Sequence, residues 1–242
     1  MAIGIFDSGL GGLSVLKYLI QKYNDEKIIY FADTINFPYG TKTKDEIITY
    51  ARNILKFFLT QNVKEVLIAC NTASAIALDT LKEEFSIPII GVIDPVCEYI
   101  KKSNIENITL LATQATINSR AYEIKLGNRI NNKIAAPKLV QCAENMQKKD
   151  VNNILDEYLN NVKKVNNILL GCTHFPLLYD EIQSRYPNAN LIDPAKKAVE
   201  ALKVKEDKGD IVFYVSKNKE NFKEKALKIL GVDDIDVRVY KG

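Results

Sequence analysis

The chain has 242 residues, 47% hydrophobic and 26% charged, the profile of a folded globular protein with ample apolar surface to bury, which excludes disorder. Its 33 Lys and Arg against 30 Asp and Glu leave a formal charge of +3, and the scattered basic residues give nucleic-acid binding no support. The length admits one large α/β domain or two compact ones.

Short apolar runs of strand length, many of them β-branched, recur at residues 2–6, 28–32, 66–69, 87–92, 108–112, 168–170, 190–192 and 211–215. Helix-period segments lie between them. The clearest is 43–60, where Ile47, Ile48, Ala51, Ile54, Leu55, Phe58 and Leu59 repeat at one-face spacing. Such alternation predicts parallel sheets covered by helices on both faces, with functional residues just past the carboxyl ends of the strands.

In chain order those junctions read Asp7-Ser8-Gly9, Asp33-Thr34, Cys70-Asn71-Thr72, Thr113-Gln114-Ala115-Thr116 and Cys172-Thr173-His174. The glycines after Asp7-Ser8 permit close backbone approach to a ligand, and no Gly-Lys-Ser/Thr follows, so this is not a phosphate loop of the Walker type. A helix amino end here would take a carboxylate as readily as a phosphate. Asp7 fits a helix cap or turn equally well. The lysine-bearing stretches at Lys148-Lys149 and 217–225 sit among polar residues and read as solvated surface.

The cysteines are Cys70, Cys97, Cys142 and Cys172. They have no paired spacing, Met1 opens no secretory leader, and no apolar run matches a bilayer. A reducing cytoplasm, free thiols and no membrane association are expected. One histidine and no C-x-x-C pair make a metal site a poor explanation. Cys97 and Cys142 read as buried structural thiols. Cys70 and Cys172 differ: a cysteine between a strand end and a helix start feels free N–H groups and the positive end of the helix dipole, which favour thiolate. Each is followed by residues suited to hold a carboxylate, Asn71 and Thr72 after one and Thr173 after the other. His174, the sole histidine, is near enough to Cys172 to exchange a proton with it or stabilise its thiolate. The stretches 66–72 and 168–174 also echo one another, separated by about one small domain. Either internal pseudo-symmetry or chance accounts for that echo.

Together the junctions resemble the glutamate racemase family, within the wider aspartate and glutamate racemase group. The resemblance is carried by Ile3-Gly4-Ile5-Phe6-Asp7-Ser8-Gly9-Leu10-Gly11-Gly12-Leu13-Ser14, Phe31-Ala32-Asp33-Thr34 through Pro38-Tyr39-Gly40, and Ala69-Cys70-Asn71-Thr72-Ala73-Ser74-Ala75. It continues in Ile89-Ile90-Gly91-Val92-Ile93-Asp94-Pro95, Ala112-Thr113-x-Ala115-Thr116-Ile117, and Gly171-Cys172-Thr173-His174-Phe175-Pro176-Leu177-Leu178. It implies two similar, pseudo-symmetric α/β domains with mainly parallel sheets, one of residues 1–93 and 207–242 and one of 94–206, with the active site in the cleft between them. Cys70 and Cys172 are implied as catalytic bases on opposite faces of the substrate α-carbon, with Asp7 the partner of Cys70 and His174 the partner of Cys172. Asp7, Ser8, Tyr39, Gly40, Asn71, Thr72, Thr116, Thr173 and His174 are implied to hold the substrate.

The chemistry agrees with that implication. A single base cannot invert an α-carbon, whereas one thiolate can remove the proton while a thiol opposite supplies another. Fixed donors around the α-carboxylate and exclusion of water stabilise the carbanionic transition state, so no pyridoxal cofactor is required. The resemblance therefore implies a cofactor-independent isomerase that interconverts L- and D-glutamate and supplies D-glutamate for peptidoglycan, and a homodimer is common in the family. A racemase of aspartate or another amino acid, a one-cysteine decarboxylase relative, and a silent binding or redox protein are the competing readings. Two segments depart from the family's pattern. Residues 139–146 replace its apolar stretch, leaving Glu144 at the place of its glutamate, and Asp193-Pro194-Ala195 replaces its usual Ser-Gly after the acidic position.

Overall fold

The computed structural model describes residues 2–23, 26–162, 165–203 and 208–241. The first part of the chain runs β1 (Ala2–Asp7), α1 (Leu13–Lys22), β2 (Ile28–Ala32), α2 (Lys44–Thr60), β3 (Val63–Ile68), α3 (Asn71–Ile76), α4 (Leu78–Glu84) and β4 (Ile89–Gly91). Helix α5 (Ile93–Lys102) leads into β5 (Ile108–Ala112), α6 (Gln114–Ser119), α7 (Ala121–Leu126), β6 (Ile130–Ala135), α8 (Pro137–Glu144), α9 (Val151–Leu159), β7 (Asn167–Gly171), α10 (Tyr179–Arg185), β8 (Asn190–Ile192) and α11 (Pro194–Ala201). The chain then returns through β9 (Ile211–Val215), α12 (Lys219–Leu230) and β10 (Asp236–Val239).

Two parallel sheets result, ordered β10-β9-β2-β1-β3-β4 and β6-β5-β7-β8. The repeat is legible in this order: β2-β1-β3-β4 and β6-β5-β7-β8 have the same winding, so β3 and β7 are counterparts. β7 ends immediately before Cys172, and β3 ends at Ile68, with one residue between it and Cys70. The last two strands extend only the first sheet.

Burial follows the pleat. Ile3, Ile5, Tyr30 and Leu67 face a central core with Leu13 and Leu16 of α1, Val96 of α5 and Ala198 of α11, and Leu110 and Leu169 of the second sheet join the same cluster. Phe6, Phe31 and Ile68 point to an outer core under α2. Leu111, Ile168 and Leu170 point to another under α8 and α9. The two sheets, each the frame of one lobe, thus share one apolar interior.

Helix α2 begins with a capping box in which Thr43 accepts from the Glu46 N–H while the Glu46 carboxylate takes the Thr43 N–H. The expected face is buried from Ile47 to Phe58, but Leu59 is 50% exposed and belongs to the solvent side. Two strands, β6 and β10, lie outside the predicted set. Both are sheet edges with polar residues in alternation, so neither shows the apolar run of a strand covered on both faces. No helix among the described residues is long and apolar enough to cross a membrane.

Candidate functional site

Contacts within and between the two halves of the chain gather most of the junctions singled out from the sequence. Asp7 closes β1 and is fully buried, with Ser8 beside it. The Asp7 carboxylate accepts from the Gly9 N–H at 2.9 Å through Oδ2 and from the Thr173 hydroxyl at 3.0 Å through Oδ1. Asp7 is thereby tied to the strand end that carries Cys172. Its effect on Cys70 is one of charge.

Cys70 is the N-cap residue of α3, and its Sγ lies 4.0 Å from the Ser8 hydroxyl. Burial pushes its thiol well up, and the nearby Asp7 and Cys172 charges add to this, while the Ala73 N–H and Ser8 oppose it. Cys70 therefore rests as a thiol. Cys172 Sγ lies 3.8 Å from Nδ1 of His174. All four cysteines are free and buried, and Cys97 and Cys142 sit in apolar clusters as expected.

His174 is the centre of the second half. Its Nε2 is 2.6 Å from Oε2 of Glu144, and that same oxygen accepts the Leu10 N–H at 3.2 Å. Burial alone would pull the imidazole down, but the Cys172 sulfur and the Glu144 carboxylate outweigh it and hold it well above 6.5. Burial alone would likewise raise Glu144. Its bond to His174, that residue's charge, the Leu10 N–H and Lys225 bring it below the usual carboxylate value. Glu144, at the last turn of α8, thus holds His174 beside Cys172. Lys225 donates to the Glu144 carbonyl at 2.8 Å, which corrects the expectation that the 217–225 stretch is only solvated surface.

The flanking polar residues form two further groups. Thr72, Thr113 and Thr116 are mutually hydrogen-bonded at 2.9–3.2 Å across the lobes, and Asn71 accepts from the Tyr122 hydroxyl at 2.5 Å. On the other side, Tyr39 is buried and donates to Asp33 at 2.6 Å. Asp33 also takes bonds from Asn36 and from Ser216, just past β9, so the returning chain braces the loop that bears Tyr39 and Gly40. Gly40 packs so closely on Thr113 that a Cβ there would lie 2.8 Å from the Thr113 Cβ.

Asp33 and Thr113 stood in the junctions named from the sequence but were given no role, and Tyr122 was not singled out at all. Thr113 and Asp33 lie at strand ends and so carried a signal. Tyr122 lies in the first turn of α7 and carried none. The divergent segment at 193–195 forms a conventional start to α11, where Asp193 caps the Ala195 N–H and Pro194 occupies the first turn. Among the described residues, no group of three or more His, Cys, Asp or Glu side chains is placed to hold a metal ion.

Chemically the site offers two sulfurs close enough for one to act electrostatically on the other, an imidazolium–carboxylate pair beside one of them, a fixed carboxylate between the lobes and a set of hydroxyl and amide groups. Comparison with known proteins agrees. The sequence model of Asp/Glu/Hydantoin racemase matches residues 8–202. Glutamate racemases of Aquifex aeolicus and Fusobacterium nucleatum are 37% and 38% identical to the chain, covering 99% of it and 97% and 96% of their own lengths. The crystal structure of glutamate racemase from Thermus thermophilus in complex with β-chloro-D-alanine superposes with a TM-score of 0.88 at 32% identity, covering 99% of this chain and 96% of that one. Glutamate racemase from Francisella tularensis in complex with D-glutamate gives 0.89 at 32% identity, covering 99% and 97%. On the mirrored cysteine junctions and a likeness that runs almost end to end, the chain belongs to the Asp/Glu/Hydantoin racemase family.

Proposed function

We propose that this protein is an isomerase that interconverts L- and D-glutamate without a cofactor, using Cys70 and Cys172 as its two bases. The observation that carries this reading is the placement of the two thiols at counterpart strand ends, β3 and β7, around the Asp7–Thr173 contact. The glutamate racemases similar to it over nearly their whole length support the substrate.

In one direction a thiolate takes the α-proton, the pair of electrons stays on the α-carbon, and the thiol opposite delivers its proton to the other face. The sulfurs then stand in exchanged protonation states, ready for the reverse reaction. Asp7 partners Cys70, and His174, held by Glu144, partners Cys172. The amide and hydroxyls of Ser8, Asn71, Thr72, Thr116 and Thr173, with the Tyr39-Gly40 loop, bind the two carboxylates and the amino group. Most of these contacts are made before reaction and hold the substrate in place, while donors fixed around the α-carboxylate also stabilise the charge that builds there. D-glutamate made this way supplies peptidoglycan synthesis in the cytoplasm, by a homodimer.

The test is polarimetric: following the circular dichroism of L-glutamate, D-glutamate and both aspartates with purified protein. Signal from both glutamates should decay to zero. Activity on aspartate alone would overturn the substrate assignment.

A further inference from the structure

The Tyr122 hydroxyl lies 2.5 Å from Oδ1 of Asn71, with the two residues 1% and 2% exposed. Asn71 opens α3 in the first lobe, directly after Cys70, while Tyr122 belongs to α7 in the second. Burial, with minor help from neighbouring acids, pushes the Tyr122 phenol well above 10, so it keeps its proton at any working pH. The hydroxyl has no other partner among the described residues, and a buried O–H that only accepted would lose its own bond. The phenol therefore donates, and Asn71 meets it with its carbonyl oxygen. That choice fixes the amide: its NH2 group, which has no acceptor among the described residues, is turned away from Tyr122.

We propose that Tyr122 is a positioning residue that locks the Asn71 side chain with its two N–H donors directed at a carboxylate of the bound amino acid. The inference rests on Asn71 touching the substrate. Without the phenol, Asn71 rotates between its two amide orientations, and one of them presents an oxygen to the substrate's negative charge. Because the contact is made equally in ground and transition states, its loss falls on KM more than on kcat.

The experiment is a double-mutant cycle in the full chain, measured by racemisation of glutamate. Tyr122→Phe removes only the hydroxyl and should lower kcat/KM by about tenfold, mainly through KM. In an Asn71→Ala background the same change should cost less than about twofold, because there is no amide left to orient. Equal losses in the two backgrounds would overturn the proposal, since a packing role of Tyr122 acts regardless of Asn71. Asn71→Asp, in which Tyr122 keeps its acceptor, should be at least as impaired as Asn71→Ala, and near-normal activity would also overturn it. If Asn71→Ala alone has no effect, the reading of Asn71 as a substrate contact is what fails.

Discussion

Thr173 and Asp7, 166 positions apart, meet through one hydrogen bond of 3.0 Å that joins the junction after β7 to the end of β1. Ser14 adds a second tie by donating to the Thr173 carbonyl at 3.2 Å. Thr173→Val keeps the shape and deletes the hydroxyl, leaving one oxygen of a fully buried carboxylate without its donor. Such a loss costs about 1–3 kcal/mol. Urea denaturation should show a lower midpoint with unchanged slope, and kcat/KM should fall. An unchanged midpoint would mean that the two junctions are held together by other contacts.

The two thiols should fail in different ways. Replacing either Cys70 or Cys172 by Ala removes one acid–base group, and racemisation should drop by roughly 10²–10⁴-fold or more. A lone thiol can still remove a proton from the enantiomer it faces and return one to the same side. In deuterium oxide, each variant should slowly label one enantiomer without inverting it, and the two variants should choose opposite enantiomers. Labelling of the same enantiomer by both would end the two-base reading.

Much of this site was open to sequence reasoning because parallel sheets put their functional residues where an apolar run stops. Asp7, Cys70, Thr113 and Cys172 all stand at such stops, and their types stood out against Val, Ile and Leu. Strand β6, reading Ile-Asn-Asn-Lys-Ile-Ala, was hidden because one edge strand of a sheet need not be apolar throughout. Glu144 was only half visible, since its partner His174 lies 30 positions away and α8 gives no local sign of the contact. Tyr122 was invisible: a tyrosine on a short amphipathic helix reads as core, and only the meeting of α7 with α3 gives its hydroxyl a role.

Gly11 and Gly40 should resist even a methyl group. A Cβ on Gly11 would stand 2.5 Å from the Thr173 hydroxyl and 2.6 Å from Nδ1 of His174, and one on Gly40 would press on Thr113 across the lobes. Neither has a positive φ, so the obstacle is space. Overpacking of this kind costs about 1–3 kcal/mol. Gly11→Ala should lose stability and nearly all activity because it displaces the partner of Cys172. Gly40→Ala should mainly raise KM, since it disturbs the loop with Tyr39. Full activity in Gly11→Ala would show that Thr173 and His174 can move without consequence.

The single histidine makes the His174–Glu144 pair directly observable, because one imidazole signal in a proton–nitrogen spectrum reports on it alone. The sulfur of Cys172 and the carboxylate of Glu144 hold His174 charged against the pull of burial, so its titration midpoint should lie above 6.5. Glu144→Gln keeps a hydrogen-bonding group but removes the charge, and the midpoint should move down. Stability follows the same linkage. A raised histidine contributes fully below its ordinary value of 6.5 and loses the contribution as pH climbs through the higher folded value. A lowered carboxylate contributes above its ordinary value of 4.5 and loses it as pH falls through the lower folded value. The stability gap between the native chain and Glu144→Gln should therefore be widest between those two ordinary values, about 1.5–3 kcal/mol for a bond to a charged group. It should narrow on both sides. A gap that stays constant from acid to alkali would mean that Glu144 serves only by packing, and that the charge on His174 is set by Cys172.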